Sequence, residues 1–420
     1  MIRIDTAPEL VDRLRAISTE FESTDPTVDG APLPAFDDAV ADAAVVGLGE
    51  ATHRTREFVQ CKRRLLRRLV AEHGCRALAL EAPYAETVAL DDYVRRGDGD
   101  LAAVLAALGL SMYAVESFAA LVRWLRAFND GRPPEDRVAV YGVDVQSAAG
   151  AAAALRDHVA DTGVAPEGLC EALDAAADGV FEGADVDADC LQTAERAADR
   201  LTARFADCDA AAPAARRHLW TLRRACEFAR LAAEDRPTQW GFRDECMAAQ
   251  VAWISDHAGG PVAVWAHDNH VKRGRMTGPG HPARTMGDRL GERYGDAYYA
   301  LGGQFSRGAV RAYAPTDGDD ADVETADGAY AMTELWVPEP PGTSVPGLFD
   351  GLDAPAAVAD YRSLADGSPL ADWLAPERRH RFVAGVVDPD EDRPFSRQYG
   401  ALDAFDGAYF VRDATPTEPR

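Results

Sequence analysis

Five short apolar runs recur along the chain, and amphipathic segments separate them. Each run is nearly continuous in apolar residues, which is typical of strands covered on both faces in a parallel sheet. The segment FVQCKRRLLRRLVAEHG (58–74) between the first two runs has one apolar helical face and ends on glycine. We therefore expect an α/β fold, with a mostly parallel sheet flanked by helices in three α/β/α layers. The runs are AAVVGLGE (43–50), RALALEA (76–82), RVAVYGVD (137–144), PVAVWAHD (261–268) and AYYALGG (297–303).

A long stretch without strand patterns interrupts this alternation. Alanine-rich segments such as AAAALRDHVADT and RRHLWTLRRACEFARLAAE show helical periodicity within residues 148–258. The sequence therefore predicts a helical bundle inserted between two strands of the sheet. On this interpretation, residues 1–147 and 259–420 are the two parts of one α/β catalytic core.

The charge balance excludes two classes of partner. The formal net charge at pH 7 is −26, so neither nucleic acid nor an anionic membrane surface is an expected partner. Lys62 and Lys272 are the only lysines, and aspartate and alanine are abundant. This composition indicates a halophilic organism, an archaeon on our interpretation, in which an acidic surface keeps the protein soluble.

The cysteines and the first residues point to the cytoplasm. The seven cysteines are scattered without a CxxC pair, as expected for reduced thiols. The opening MIRIDTAPEL lacks the basic and apolar regions of a signal peptide, and no later stretch is apolar enough to cross a bilayer. We expect a cytoplasmic protein that acts on a small molecule. Nothing in the sequence specifies an oligomeric state.

Titratable side chains stand at the ends of four predicted strands. Ligands of open parallel sheets bind beyond the carboxyl ends of the strands, and clustering charged groups there costs desolvation energy. A functional cluster is therefore the interpretation that explains all of them together. The residues are Glu50, His53, Glu81, Asp144, His267, Asp268 and His270.

Each residue also has an ordinary structural explanation. Glu50 can cap the following helix, and His53 can be a hydrogen-bonded structural histidine. Glu81 can be solvated at a turn, and Asp144 can accept backbone N–H groups in its loop. His267 and His270 can be polar surface residues after a strand. All of these explanations would have to hold at once, which favours the functional cluster.

Other catalytic signatures are absent from the sequence. It contains no GxSxG elbow, HExxH zinc helix, phosphate-binding loop or GxGxxG fingerprint. Cys61 falls on the apolar face of its predicted helix and is expected in the core. The basic cluster around it is expected to be solvated, except for Lys62, which lies one turn after Phe58 near the strand ends.

An ordered set of motifs resembles the erythromycin esterase family. The resemblance extends from about Val45 to FDGAYFVRD (405–413) and implies an α/β core carrying a helical insertion, with hydrolysis of macrolactone rings as the best-known activity. It implies no cofactor. The motifs are GEATHRTREF (49–58), ALALEA (77–82), YGVDVQS (141–147), RDECMAAQVAWI (243–254), VWAHDNHV (264–271) and MGDRLGERYGDAYYALGG (286–303).

The resemblance carries over to individual residues. It implies that His53 is the essential histidine and that Glu50 and Glu81 are the two carboxylates. His267 matches the histidine of the AHNxH motif, with His270 as its neighbour. The chain departs from the family at Arg54, where glycine is common, at Asp268-Asn269, where asparagine and a small residue are usual, and at Lys62, where arginine is usual.

The expected reaction is addition of water to an ester or lactone carbonyl. His53 acts as general base, because imidazole titrates near neutral pH, and Glu50 or Glu81 fixes its tautomer. His267, with Lys62, stabilises the oxyanion or protonates the leaving alcohol. Lys62, His270, Asp144 and Arg54 are expected to bind substrate.

Two other functions remain open at this point. The side chains of His53, Glu81, His267 and His270 are acceptable zinc ligands, so the same cluster suits a metal-dependent hydrolase. Alternatively, the chain is a binding or biosynthetic accessory protein that uses the cleft without hydrolysis, since some members of the family are named for polysaccharide production.

Overall fold

The computed structural model describes most of the chain, and its central feature is one large sheet. The order of strands across the sheet is β1-β9-β12-β6-β2-β5-β3-β4, and β8, which pairs with β7, pairs with the outer half of β6. The described residues are 8–28, 32–162, 168–179, 188–206, 212–277, 283–316, 321–325, 328–389 and 394–418. The strands are β1 (Ser18–Phe21), β2 (Val45–Leu48), β3 (Ala77–Pro83), β4 (Ala139–Asp144), β5 (Val262–Trp265), β6 (Tyr298–Pro315), β7 (Val323–Thr325), β8 (Gly328–Val337), β9 (Ala356–Asp360), β10 (Glu377–Arg381), β11 (Ser396–Gly400) and β12 (Gly407–Ala414).

The pairing is parallel in the middle of the sheet and antiparallel at its margin. The six strands from β12 to β4 pair in parallel, whereas β9 pairs antiparallel with both β12 and β1. Strands β10 and β11 form a separate antiparallel hairpin. The mostly parallel sheet predicted from the sequence is confirmed, with antiparallel edge strands that the apolar runs do not indicate.

Helices cover both faces of the sheet. Val46 and Leu48 of β2 pack into a core cluster on one face, and Val45 joins a second cluster on the other face. The bounds are α1 (Pro8–Ala16), α2 (Pro34–Ala39), α3 (Arg56–Glu72), α4 (Val88–Arg96), α5 (Leu101–Ala107), α6 (Glu116–Asn129), α7 (Ala149–Thr162), α8 (Leu169–Gly179), α9 (Ala188–Ala206), α10 (Pro213–Glu234), α11 (Arg236–Ser255), α12 (Asp268–Val271), α13 (Met286–Tyr294), α14 (Val345–Asp350), α15 (Pro369–Leu374) and α16 (Ala401–Ala404). None of the described helices combines the length and apolarity needed to cross a bilayer.

Helix α3 forms where the amphipathic pattern predicts a helix. Phe58, Cys61, Leu65 and Leu69 are buried on its inner face. The helix ends at Glu72, and Gly74 adopts a φ of +68°, a conformation that glycine reaches without a steric cost. The backbone N–H of Cys75 then donates to the carbonyl of Leu69, which turns the chain directly into β3.

Strand β6 is much longer than its apolar run predicts. The first half is buried on both faces, whereas burial alternates along the second half. The alternating half leaves the main sheet and pairs antiparallel with β8. A continuous apolar run is typical only of a strand that is covered on both faces. The sequence pattern therefore indicates only the first half of β6, and the expected segment ends at residue 303.

Candidate active site

A cavity of about 530 Å³ opens at the carboxyl ends of the parallel strands. The position agrees with the general rule for ligands of open α/β sheets. Of the predicted site residues, Glu50, Lys62 and Asp144 lie behind the wall. The predicted residues on the wall are His53, Arg54, Glu81, His267 and His270.

The end of β2 places Glu50 beneath His53. Glu50 Oε1 lies 2.6 Å from His53 Nδ1, and Glu50 Oε2 lies 2.6 Å from the ammonium of Lys62. Burial alone would raise the pKa of the Glu50 carboxyl, but Lys62 and His53 together hold that pKa below its ordinary value. The carboxylate is therefore ionised, and it accepts a hydrogen bond from the Nδ1–H of His53.

Gly49 is required for this arrangement because the strand ends are closely packed. A Cβ at this position would lie 2.1 Å from Asp268 Oδ1 and 2.9 Å from the carbonyl oxygen of Leu301. The carbonyl of Gly49 itself accepts a hydrogen bond of 2.6 Å from the Tyr409 hydroxyl. The glycine before Glu50 thus lets β2 end against its neighbours without steric conflict.

Lys62, which was predicted to bind substrate, is a buried partner of Glu50 and lies off the cavity wall. Its side chain is 0% exposed, its ammonium lies 4.2 Å from the centroid of the Trp265 ring, and it donates to the carbonyl of Leu48. Burial lowers the pKa of Lys62, and the Glu50 carboxylate opposes that effect. Lys62 therefore supports His53 indirectly, through its ion pair with Glu50.

Arg54 lies on the cavity wall in an unusual backbone conformation. Its φ is +59°, which costs a residue other than glycine about 1–2 kcal/mol. Glycine, which the family resemblance implies at this position, would not pay that cost. The guanidinium donates to the Ser111 hydroxyl at 3.1 Å and lies 5.7 Å from the centroid of the Tyr313 ring.

His267 uses both ring nitrogens within the protein. Its Nδ1 accepts from the backbone N–H of Asn269 at 3.1 Å, and its Nε2–H donates to the carbonyl of Val383 at 3.2 Å. Burial, reinforced by the neighbouring His53, lowers the pKa of His267 to about 3. The geometry therefore differs from the expectation that His267 protonates the leaving group, because the imidazole is neutral and its one N–H is engaged.

Arg243 of α11 joins two of the predicted carboxylates. Its Nη2 donates to Glu81 Oε1 at 2.9 Å and to Asp144 Oδ2 at 2.6 Å. Burial would raise the pKa of Glu81, but His270 and Arg243 hold it well below its ordinary value. Asp144 also accepts the backbone N–H of Val145. Asp144, which was also predicted to bind substrate, therefore lies behind Arg243 and off the cavity wall.

His270 lies between two carboxylates. Its Nδ1 is 2.7 Å from Asp244 Oδ1, and its Nε2 is 3.3 Å from Glu81 Oε1. Burial favours the neutral ring, but Asp244 and Glu81 outweigh burial and raise the pKa of His270 to about 10. His270 is therefore an imidazolium at neutral pH, and it shares the Glu81 carboxylate with Arg243.

The charged His270 is expected to make the protein less stable at alkaline pH. Its folded pKa of about 10 exceeds the ordinary 6.5, so its stabilisation is complete below about pH 6.5 and is lost as the pH rises through 10. One such group gives a slope of about 1.4 kcal/mol per pH unit. Urea unfolding across this window measures the slope. The Asp244→Asn variant is the control, and we expect its unfolding free energy to depend less on pH than that of the wild type. Equal slopes in the two proteins would contradict the assignment of His270 as the titrating group.

Three contributors to this region were not predicted from the sequence. Arg243 and Asp244 begin the RDECMAAQVAWI motif, so the family resemblance could have drawn attention to them. They were not predicted as site residues because charged side chains on a helix normally face solvent. Phe382 packs edge-on against His267, with 5.0 Å between ring centroids. It follows β10, a segment with no apolar pattern that could have indicated the cavity.

The described residues contain no group of three or more His, Cys, Asp or Glu side chains arranged to hold a metal ion. The oxygens of Glu81 already accept from Arg243 and from the backbone N–H of His267. Both nitrogens of His267 and of His270 face partners within the protein. A metal ion at this cluster would therefore have to displace existing hydrogen bonds.

Comparisons with known proteins agree with this fold. Two similar crystal structures are a succinoglycan biosynthesis protein (TM-score 0.80, 19% identity, 98% of each chain) and a Bacillus cereus protein (TM-score 0.79, 19% identity, 98% of each chain). A mutant of the erythromycin esterase EreC in its open conformation has a TM-score of 0.66 at 16% identity, over 94% of this chain and 98% of that one. At these identities the likeness shows the fold alone. The family model described as erythromycin esterase matches residues 70–414, and the chain therefore belongs to the erythromycin esterase family.

Proposed function

We propose that this protein hydrolyses an ester or lactone, with macrolide-like compounds among the candidate substrates, by adding a water molecule that His53 activates. The observation that carries the proposal is the His53–Glu50 pair at the cavity wall. The ionised Glu50 holds the proton of His53 on Nδ1, which leaves the Nε2 lone pair as the base. The His53 side chain is 15% exposed and Glu50 only 7%, so the base is accessible and its partner is protected.

In the proposed mechanism His53 acts first as a general base and then as a general acid. His53 Nε2 takes a proton from water as the water oxygen bonds to the carbonyl carbon. The resulting imidazolium is stabilised by Glu50, and it returns the proton to the alkoxide oxygen as the carbon–oxygen bond to the leaving group breaks. The products are an alcohol and a carboxylic acid, which releases its proton to solvent at neutral pH. No covalent intermediate is required, in keeping with the missing serine elbow.

Asn269 offers a hydrogen-bond donor for the developing oxyanion. Its Oδ1 accepts from the backbone N–H and the hydroxyl of Thr277, at 2.9 and 3.0 Å. This orients the amide so that its nitrogen is available to donate in the cavity that Asn269 lines. His267 is assigned a positioning role, since its ring centroid lies 5.1 Å from that of His53.

The helices between β4 and β5 take part in the proposed site. We treat residues 148–258 as an insertion into the catalytic core, whose two parts are residues 1–147 and 259–420. Helix α11 of this segment supplies Arg243 and Trp240 to the cavity wall. On this proposal the insertion contributes part of the cavity wall, beside the residues of the catalytic core.

Hydrolysis in water enriched in oxygen-18 tests this reaction. A panel of lactones and esters, including macrolides, is incubated with the protein at high salt, and the products are weighed by mass spectrometry. We expect one heavy oxygen in the product carboxylate and none in the alcohol, because the water oxygen attacks the carbonyl carbon. Label in the alcohol would contradict the proposed attack.

The same panel separates the two alternative functions. Turnover that chelation abolishes and zinc restores would support a metal-dependent hydrolase using the same histidines and Glu81. Tight binding of a compound that is recovered unchanged would support an accessory protein without hydrolytic activity. The second alternative is kept because one similar structure is described as a succinoglycan biosynthesis protein.

A further inference from the structure

Two arginines on the cavity wall form no ion pair with a carboxylate of the described residues. Arg54 and Arg397 both line the cavity, and neither has a carboxylate within ion-pair distance among the described parts of the chain. Arg243, the third arginine on the wall, is by contrast paired with Glu81 and Asp144. The contrast is informative because the whole protein carries a formal net charge of −26, so carboxylates are plentiful elsewhere.

The two guanidiniums are anchored rather than free. Arg54 donates to Ser111 at 3.1 Å, and its buried Nε has no hydrogen-bond partner. Arg397 donates to the carbonyl of Ser396 at 3.0 Å, lies 5.1 Å from the centroid of the Phe382 ring, and also has a buried Nε without a partner. Each therefore retains donor capacity at a fixed position, which is the property required of a binding group.

Both positions are connected to the proposed catalytic histidine, Arg54 along the chain and Arg397 through a series of ring contacts. Arg54 directly follows His53 in the chain, and Arg397 lies against Phe382, which packs on His267. The backbone of Arg54 also adopts a conformation that favours glycine. A costly conformation kept for a charged side chain beside a catalytic group indicates a function for that side chain.

We propose that the substrate of this hydrolase carries a carboxylate or a similar oxyanion beside the scissile carbonyl, and that Arg54 and Arg397 bind it. Arginine suits this task because its planar fork donates two parallel hydrogen bonds to an oxyanion. A positive cavity in an acidic protein also concentrates anionic substrate at the site and disfavours cationic competitors. This inference rests on the proposed hydrolase function.

Three esters of matched length test the inference. They are the para-nitrophenyl monoester of adipic acid, its neutral methyl ester, and the para-nitrophenyl ester of aminohexanoic acid, which carry a negative, zero and positive charge. We expect kcat/KM to be highest for the anionic ester, by about 10- to 100-fold over the neutral one, as for hydrogen bonds to charged groups. Equal kcat/KM values for the three esters would overturn the inference and leave the hydrolase function intact.

Substitutions identify the arginines responsible. Arg54→Gln and Arg397→Gln should each lower the anionic-to-neutral ratio of kcat/KM by about 10-fold, and Arg54→Glu should shift the preference towards the cationic ester. Arg54→Gly tests the same loss in a variant whose backbone is not strained. Arg126→Gln removes an equal charge at an exposed residue of a different cavity, and its ratio should match the wild type.

A binding measurement distinguishes failure of the hydrolase proposal from failure of the inferred anion site. If none of the three esters is turned over, the ester hydrolase proposal fails for this class, and calorimetric titration with free adipate still tests the anion site. Adipate binding that Arg54→Gln weakens would support the inference. No binding by the wild type, or equal binding by the variant, would overturn it.

Discussion

Replacing His53 with alanine is expected to lower kcat/KM on any hydrolysed ester by about 10²–10⁴-fold. The physical reason is the loss of the side chain that joins the cavity to Glu50, whose Oε1 lies 2.6 Å from His53 Nδ1. Ester hydrolysis is followed under substrate-limited conditions, with near-UV circular dichroism to verify folding. Added imidazole should restore part of the rate, because the vacated space beside Glu50 can bind it.

A second histidine provides the control for this experiment. His257 is exposed and contacts the carbonyl of Trp253, so His257→Ala should retain wild-type activity. Near-normal turnover by a folded His53→Ala variant would contradict the assignment of His53 as base. Glu50→Gln should give a smaller loss than His53→Ala, since glutamine can still orient the ring but cannot stabilise the imidazolium.

Replacing Arg243 with methionine is expected to destabilise the folded protein by about 3–5 kcal/mol. The substitution leaves Glu81 and Asp144, which are both buried, without the guanidinium that pairs with them. Buried carboxylates without a partner must either remain charged at a high desolvation cost or take up a proton. Urea unfolding at neutral pH measures the effect.

Two comparisons make this result specific. The exposed Arg156 pairs with Asp157 and Asp174, and Arg156→Met should change stability by less than about 1 kcal/mol, as usual for surface pairs. The double variant Arg243→Met/Asp144→Asn should recover part of the loss, because one of the unpaired charges is gone. A loss equal to that of Arg156→Met would show that the network is not held by Arg243.

The two experiments probe separate halves of the proposed site. His53, Glu50 and Lys62 form a reactive unit whose base reaches the cavity. The second half is a buried network that reaches the cavity wall at Arg243, Glu81 and His270 and extends behind it to Asp144 and Asp244. Glu81 links the network to the reactive side by accepting the backbone N–H of His267 at 2.8 Å. We therefore expect His53 variants to lose activity with little change in stability, and Arg243 variants to lose both.

Several features of this protein were accessible from the sequence by itself. The buried parallel strands appear as continuous apolar runs, and α3 appears as an amphipathic pattern, because both signals lie within a few residues. The placement of Glu50, His53, Glu81 and His267 near one another follows from the rule for strand ends. The strands β1 and β9, which pair antiparallel at one margin of the sheet, gave no such signal, because they are only four and five residues long.

The tertiary structure decided which groups are charged and which reach the cavity. Lys62 and Phe58 lie on the same helix, yet only contact with Glu50 and Trp265 reveals that Lys62 is a buried partner. His267 and His270 are three residues apart, and their pKa values of about 3 and about 10 differ because only His270 lies between two carboxylates. Arg243 contacts residues 99 and 162 positions away. Local periodicity contains no information about such distant partners, and burial and charge at this site depend on them.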